Sequence, residues 1–179
     1  MVTKSKEQAV EVRRNSFVMK SVELTIIGTI RTRHTSIENM PIQSAAADEA
    51  QGMIELFTEY VPGLQDLAGF SHIILIYHFH EQNGFSLKVK PFMDDREHGV
   101  FATRSPKHPA AVGISIVRLL KIDGNKIYFD GADMLDETPL IDIKPFFSNF
   151  DNRIDAVSGW LDSKDEKQMK EVRSDDRFK

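Results

Sequence analysis

The sequence predicts a mainly β protein, a small single-domain β-barrel with a few short helices and a polar carboxyl-terminal tail or helix. At least six segments are rich in the β-branched and aromatic residues typical of strands, and few segments have helical spacing. With 41% hydrophobic residues, a chain of 179 residues can bury one sizeable core. Because an open sheet of this size would leave exposed edges, the sequence favours a closed or nearly closed sheet.

The first half of the chain supplies three predicted strands. Residues 1–20 are polar without clear periodicity, and we expect them to form an arm. The barrel domain is predicted to span residues 21–161, and its first strands are VELTIIGTI (22–30), QGMIELF (51–57) and SHIILIYHFH (71–80). Between Pro62 and Phe70, the spacing of apolar residues predicts a short helix that ends at Gly69.

The second half supplies four more predicted strands: LKVKPFM (87–93), GVFAT (99–103), GISIVRLLKI (113–122) and KIYFDGADML (126–135). The sequence DGN at 123–125 is a hairpin signal between the last two. Residues 162–179 contain six basic and six acidic residues and few apolar ones. This composition predicts a charged tail that is either a solvated helix or disordered.

A basic segment separates two of these predicted strands. Arg104, Lys107 and His108 follow GVFAT and are interspersed with two prolines. We expect the flanking strands to form the barrel wall, and the prolines, whose φ is fixed, to stiffen a rim loop that presents Arg104 and His108. Gly113 is expected to allow a close backbone approach before the next strand begins.

Composition excludes several classes of protein. The absence of cysteine excludes disulfides and thiolate metal sites and favours a reducing, cytoplasmic location. No run of 18 uninterrupted apolar residues occurs, so we expect no membrane insertion. The net charge of −4 argues against a wholly basic surface, although residues 86–126 hold eight Lys and Arg against four Asp and Glu. That excess is either a solvated face or a local nucleic-acid-binding patch.

Common nucleotide and hydrolase motifs are missing. The ten glycines never fall as G-x-G, and neither G-x-x-x-x-G-K-[ST] nor G-x-S-x-G occurs. The sequence therefore does not predict a Rossmann enzyme or a serine hydrolase of the nucleophile-elbow type.

Three histidines suggest one alternative function. His72, His78 and His80 share parity, so an unbroken strand would project all three to one face in the H-x-H arrangement of small-barrel metal enzymes. The other possibility is that they are core or rim residues bonded to backbone or carboxylate groups. A metal-dependent barrel enzyme is thus an open alternative.

Acidic side chains cluster around two prolines in residues 133–146, and they are Asp133, Asp136, Glu137 and Asp142. Carboxylates in a turn can accept hydrogen bonds from ribose hydroxyls or from an ammonium group. They can equally form turns and cap helices. Composition leaves both roles open.

Five segments together resemble the TrmO/TsaA-like family, whose members use S-adenosylmethionine to methylate N6 of threonylcarbamoyl-adenosine in the tRNA anticodon loop. The similarity runs in the family's order from about residue 24 to residue 150. It rests on IGTIRT (27–32), MPIQ (40–43), GFSHIILIYHFH (69–80), FATRSPKHPAAVGIS (101–115) and DMLDETPLIDIKPF (133–146).

The resemblance implies a small β-barrel that binds S-adenosylmethionine without a Rossmann fold, acts on tRNA, and forms a homodimer with the cofactor near the subunit interface. It implies these cofactor-binding residues: Pro41, Ile42, Gln43, His80, Glu81, Arg104, Ile114, Asp133, Leu135, Asp136, Glu137 and Thr138. His80 and Asp136 are the candidate catalytic bases. The expected phosphate contacts are Lys88, Lys90, Lys107 and Lys121.

The chain departs from the family pattern at three motifs. P-R-Q is replaced by Pro-Ile-Gln at 41–43, R-P-N-P-I-G by His-Pro-Ala-Ala-Val-Gly at 108–113, and D-G-T-P by Asp-Glu-Thr-Pro at 136–139. Cofactor binding through backbone contacts is compatible with these changes. The lost Arg and Asn side chains also permit a second alternative, a module that binds S-adenosylmethionine without RNA chemistry.

Overall fold

The computed structural model describes residues 21–47, 50–165, 169 and 171–178, so the predicted arm at 1–20 lies outside the described residues. Eight strands occur in this part of the chain: β1 (Gly28–Arg31), β2 (Gln51–Leu56), β3 (His72–His78), β4 (Lys88–Val89), β5 (His98–Gly99), β6 (Val112–Asp123), β7 (Lys126–Asp130) and β8 (Thr138–Pro145). Six of them close an antiparallel barrel in the order β1-β2-β7-β6-β3-β8. The fold-class prediction is confirmed.

Short elements fill the connections. Strands β4 and β5 form a separate two-stranded sheet, and helix α1 (Ser148–Asp151) follows β8. Single 3₁₀ segments cover Ser44–Ala46, Thr58–Leu64, Leu67–Gly69, Val100–Ala102 and Gly159–Ser163. Among the described residues, no helix has the length and apolar character needed to cross a membrane.

Alternation along the strands decides which side chains fill the barrel. In β3, Ile73, Leu75 and Tyr77 are buried, and the residues between them face outward. Strand β6 pairs with β3 so that Val117, Ser115 and Gly113 lie opposite these three residues. On these two strands, the Ser115 hydroxyl therefore faces the interior beside Tyr77, and the outer face of β3 carries His72 and His78.

Two glycines let aromatic rings cross the interior. A Cβ atom added at Gly113 would lie 2.2 Å from a ring carbon of Tyr77, and one added at Gly52 would lie 2.4 Å from the ring of Phe129. Each glycine is the direct cross-strand partner of the ring that covers it. Gly113 thus allows the close approach expected from the sequence, and its partner is an inward-facing tyrosine ring.

Three sequence predictions hold closely. Strand β2 matches the segment predicted at 51–57 to within one residue, and a hairpin turn at 124–125 joins β6 to β7. The apolar spacing between Pro62 and Phe70 does form helical turns that end at Gly69, although they are 3₁₀ turns.

Other strand predictions are wrong. The first strand begins at Gly28 instead of residue 22, because Gly28 already pairs with the last residue of β2 and the preceding Val22 and Leu24 are exposed. The segment GVFAT does not build the barrel wall, since Val100–Ala102 is a 3₁₀ turn whose chain runs beside β4. A β-rich composition cannot show that a segment lacks a partner strand in the barrel.

Strand β8 was not predicted, because its two prolines weaken the strand signal in the sequence. Pro139 is in register with Thr29 of β1, and Pro145 is in register with Ile73 of β3 at the far end of the strand. Proline lowers the strand signal because it cannot donate a ladder hydrogen bond. The pairing of β8 with both β1 and β3 nevertheless closes the barrel.

After α1, the chain returns to the side of the barrel that carries β5. The Trp160 ring stacks on His98 with ring centroids 4.5 Å apart, and its Nε1 donates to the Ala102 carbonyl at 2.8 Å. Lys164 pairs at 3.3 Å with Asp94, whose side chain is only 6% exposed. These contacts bring the end of the chain towards the loops around β4 and β5.

We expect the Gly113→Ala substitution to lower the free energy of unfolding by about 1–3 kcal/mol, the usual effect of overpacking a core. The added methyl group would displace the Tyr77 ring. Urea denaturation measures the change, with Gly99→Ala as the matched control because no atom lies within 4 Å of a Cβ there. Equal stability of the two variants would contradict the packing described above.

Candidate functional site

A large cavity opens at one end of the barrel, where β3 and β7 end and β6 and β8 begin. Its volume is about 1290 Å³. The walls come from the loop after β1, the segments that flank β3 and β6, and the bend between β7 and β8. The cavity continues along the outer face of β6 as far as Arg118.

Most residues predicted to bind the cofactor line this single cavity. They come from four separate stretches of the sequence, and they are Pro41, Ile42, Gln43, His80, Glu81, Arg104, Ile114, Asp133, Leu135 and Thr138. Asp136 and Glu137 are not among the lining residues. The barrel topology therefore gathers the segments that carry the family resemblance.

The bend between β7 and β8, which we call the acidic bend, carries the carboxylates of Asp133, Asp136 and Glu137, and these have different contacts. The side chain of Asp136 accepts the backbone N–H of Thr32 at 3.0 Å, and its own N–H donates to the His34 carbonyl at 2.7 Å. Glu137 pairs with Arg31 at 2.8 Å on an exposed part of the surface. Asp136 holds the bend to the residues after β1 and Glu137 holds it to the last residue of β1, whereas Asp133 faces the cavity.

Asp133 is the end of a hydrogen-bond chain that starts inside the barrel. The Ser115 hydroxyl donates to Asp133 Oδ1 at 2.6 Å, and the Tyr77 hydroxyl lies 3.0 Å from the Ser115 oxygen. Because the hydroxyl proton of Ser115 is directed at the carboxylate, Tyr77 is the donor to Ser115. Both hydroxyl donors in this series of hydrogen bonds are thus directed towards the negative charge of Asp133.

Burial shifts the pKa values of both ends of this chain. Desolvation raises the pKa of Asp133 to about 6, against the opposing hydrogen bonds from Ser115 and from the Ser44 N–H. Desolvation, reinforced by the Asp133 charge, raises the pKa of Tyr77 far above its usual range. The positive charge of Arg104 opposes both shifts.

Arg104 stands at the cavity wall, as predicted for the rim loop. Its guanidinium is exposed and, within the described part of the chain, has no hydrogen-bond or ion-pair partner. His108 also lines the cavity, but its Nε2 is engaged with the Thr103 carbonyl at 3.1 Å. The loop therefore presents Arg104 to a ligand, while His108 holds the loop closed on itself.

The histidines do not support the metal alternative. His72 and His78 lie on the outer face of β3, and β3 ends before His80. The His72 ring contacts the Ser71 hydroxyl at 2.9 Å. Residues 21–47, 50–165, 169 and 171–178 contain no group of three His, Cys, Asp or Glu side chains that could hold a metal ion, so the alternative is not favoured.

The four lysines expected to contact phosphate do not form one patch. Lys107 is not a lining residue, although its sequence neighbours Pro106 and His108 are, and its Nζ donates to the Asn83 carbonyl at 3.4 Å. Lys90 pairs with Asp95 at 3.2 Å, and Lys121 lies over the Tyr128 ring near the far end of β6. Lys88 is exposed on β4.

Sequence reasoning missed several lining or network residues. Ser115 could have been found, since it is the one polar residue at an inward position of an otherwise apolar alternation in β6. Tyr77 gave no signal apart from its place in an apolar run. Ser174, Asp175 and Phe178 line the cavity from a segment whose composition predicted a charged tail, either a solvated helix or disordered.

A closed antiparallel barrel whose end cavity presents the exposed guanidinium of Arg104 and the buried carboxylate of Asp133 has the arrangement of a small-molecule-binding β-barrel domain. Residues 29–152 match the family model described as the tRNA-methyltransferase O N-terminal domain. The chain belongs to this family, which confirms the resemblance found in the sequence.

Relatives of known name support the same assignment. The chain is 45% identical over 152 residues to a probable S-adenosyl-L-methionine-binding protein of Pyrococcus abyssi, covering 85% of this chain and 82% of the relative. It is 37% identical over 100 residues to the human tRNA (adenine(37)-N6)-methyltransferase, covering 54% of this chain but only 23% of that protein.

Solved structures include a close neighbour in fold. A crystal structure of TrmO from Pseudomonas aeruginosa superposes with a TM-score of 0.68 at 33% identity. The match covers 82% of this chain and 64% of that chain. The present chain thus spans less than two thirds of the solved protein.

The raised pKa of Asp133 predicts a pH-dependent stability. In the unfolded chain this carboxyl has its ordinary pKa of 3.8, so between that value and about 6 the folded state binds more protons and loses stability as pH rises. We expect Asp133→Asn to match the wild type near pH 4 and to exceed it at pH 7 by on the order of 1–3 kcal/mol. Urea unfolding of both proteins at the two pH values measures the difference, and a gap that is constant with pH would contradict the prediction.

Proposed function

We propose that the protein is an S-adenosylmethionine-dependent methyltransferase that acts on N6 of threonylcarbamoyl-adenosine in the anticodon loop of tRNA, and that it works in the cytoplasm. The observation that carries the proposal is the convergence of Arg104, Asp133 and the Pro41–Gln43 segment on one cavity in a chain of the TrmO family. The names of its relatives support the cofactor and the tRNA substrate.

The cavity fits a zwitterionic sulfonium nucleoside. Its volume of about 1290 Å³ exceeds the roughly 300–1,000 Å³ of ordinary small-molecule pockets, which leaves room for a second ligand group. Arg104 can pair with the carboxylate of the methionyl part, since a guanidinium stays charged and binds carboxylates bidentately. Asp133 can accept from an ammonium group or from ribose hydroxyls, and either contact compensates for its buried charge.

Apolar and amide groups complete the fit. Ile42 and Leu135 offer apolar surface to the uncharged parts of the cofactor, and Gln43 offers an amide group. In this assignment, Asp136 and Glu137 hold the bend in place through Thr32 and Arg31 and do not touch the cofactor. Bound S-adenosylmethionine would supply an electrophilic methyl group.

The remaining chemistry is alignment and the removal of one proton. Transfer of a methyl group to nitrogen forms an N–C bond as the S–C bond breaks in line, so orientation and exclusion of water supply most of the acceleration. His80 is the residue that we assign to accept the proton, because it lies on the cavity wall and its ring has no hydrogen-bond partner in the described chain. Lys107, whose sequence neighbours Pro106 and His108 line the cavity, is the phosphate contact that we retain.

A homodimer is part of the proposal. The outer face of β6 exposes an apolar strip in which Ile114 is 52% and Ile116 is 44% exposed, and both residues also border the cavity. Ile76 and Ile74 of β3 lie directly beside them. A second copy that covers this strip would bury apolar surface and sit next to the bound cofactor.

We expect Arg104→Ala to raise the Kd for S-adenosylmethionine by roughly 10- to 150-fold, which corresponds to about 1.5–3 kcal/mol for a lost charged hydrogen bond. Isothermal titration calorimetry measures the affinity. Mass spectrometry of an anticodon stem-loop RNA bearing threonylcarbamoyl-adenosine measures transfer of one methyl group by the wild type.

The control for that experiment is Arg153→Ala, which removes an exposed guanidinium beyond α1 that does not line the cavity. Equal affinity of Arg104→Ala and the wild type would remove Arg104 from the site. Cofactor binding by the wild type without any methyl transfer would leave a binding module in place of the enzyme.

The dimer makes a separate prediction. We expect Ile116→Glu to convert a dimer into a monomer in light scattering coupled to size-exclusion chromatography, because a charge would be buried against an apolar partner surface. Ile154→Glu, at a fully exposed position that is not part of β6, should leave the dimer intact. A monomeric wild type would refute this part of the proposal.

A further inference from the structure

A segment outside the family match contributes to the cavity. The match to the family model ends at residue 152. Ser174, Asp175 and Phe178 nevertheless line the cavity together with residues inside that match. We call residues 172–178 the clasp, because they contact two separate loops of the site.

The first contact of the clasp is with the loop after β1. Arg173 forms an antiparallel bridge with Pro41. The Ser174 N–H donates to the Met40 carbonyl at 3.0 Å, and the Asn39 N–H donates to the Ser174 carbonyl at 2.8 Å. The backbone just before Ile42 and Gln43 is therefore paired to the clasp like a short strand.

The second contact is with the loop after β4. Arg177 Nη1 donates to the Pro91 carbonyl at 2.9 Å, and its guanidinium lies 4.9 Å from the centre of the Phe92 ring. The Phe178 ring meets Phe92 edge to face at 4.9 Å between centroids. Both rings line the cavity and remain partly exposed there.

Arg177 is itself held in one orientation. Its Nε and Nη2 atoms donate to the two carboxylate oxygens of Asp175 at 2.8 Å and 2.6 Å, respectively. This fork leaves Nη1 for the Pro91 carbonyl. The guanidinium therefore fixes where the chain, and hence Phe178, meets Phe92.

We propose that Phe178, held against Phe92, contacts a purine base in the cavity, and that Arg177 is the positioning residue for this contact. The proposal rests on the proposed function, because both ligands of that reaction carry an adenine ring. Partly exposed aromatic rings on a cavity wall offer a stacking surface that hydrogen-bonding residues cannot replace. The clasp thereby adds an aromatic wall to a site whose other walls come from the barrel and its loops.

The test compares Phe178→Leu with Phe178→Tyr in the full chain. Two binding experiments, which we call the cofactor arm and the RNA arm, distinguish the two adenine rings. The cofactor arm is calorimetry with S-adenosylmethionine. The RNA arm is fluorescence anisotropy with the anticodon stem-loop RNA in the presence of S-adenosylhomocysteine. We expect Phe178→Leu to raise one of the two Kd values roughly 5- to 150-fold, the range for loss of one stacked base. Phe178→Tyr keeps the ring and should stay within about twofold of the wild type.

A matched control and a double-mutant cycle distinguish a contact between Phe178 and the base from a purely structural role of Phe178. Phe150→Leu removes an exposed ring next to Phe147 that does not line the cavity, and it should change neither Kd. Arg177→Ala should weaken the same arm as Phe178→Leu, and the double variant should be no weaker than Phe178→Leu alone, since Arg177 acts through that ring. Thermal unfolding without ligand confirms that each variant is folded.

The outcomes separate this proposal from the proposed function. A change in the cofactor arm assigns Phe178 to the adenine of S-adenosylmethionine, and a change confined to the RNA arm assigns it to the target base. If Phe178→Leu binds both ligands as the wild type does and methylates RNA normally, the clasp contact is refuted and the methyltransferase stands. If the wild type binds neither ligand, the proposed function fails and the base contact fails with it.

Discussion

The contact between the Tyr77 ring and the backbone of Gly113 is the constraint on which the site depends. A glycine opposite the tyrosine lets the ring lie across the barrel interior, and this position brings its hydroxyl to Ser115. Ser115 in turn donates to Asp133 at the cavity. Packing inside the barrel is thereby connected to the charge that a ligand meets.

The different contacts of the three carboxylates in the acidic bend follow from the course of the backbone between β7 and β8. Between β7 and β8, residues 133–135 line the cavity, as does Thr138 at the start of β8, whereas Asp136 and Glu137 contact the end of β1 and the residues after it. Asp136 and Glu137 are satisfied by a backbone N–H and by Arg31, whereas Asp133 is desolvated. A desolvated carboxylate lowers the stability of the free protein. It is therefore stabilised most by a ligand that brings hydrogen-bond donors or positive charge.

Arg104 and Asp133 give the cavity two opposite charges that do not pair with each other. Each charge can meet a different part of a zwitterionic ligand, although the two are close enough for Arg104 to lower the pKa of Asp133. The clasp extends this arrangement, because it ties the loop that carries Ile42 and Gln43 to the loop that carries Phe92. The walls of the site thus come from segments that lie far apart in the sequence.

The sequence by itself determined the β-barrel class, the family, and the family segments that reach the cavity, because strand composition and short motifs are local properties. Only the tertiary structure decided that GVFAT lies outside the barrel, that β8 closes it, and that Asp133 instead of Asp136 faces the cavity. It also decided the contacts of Tyr77 and Phe178. Register, strand partners and the contacts of a charged tail depend on residues distant in the chain, so no local pattern encodes them.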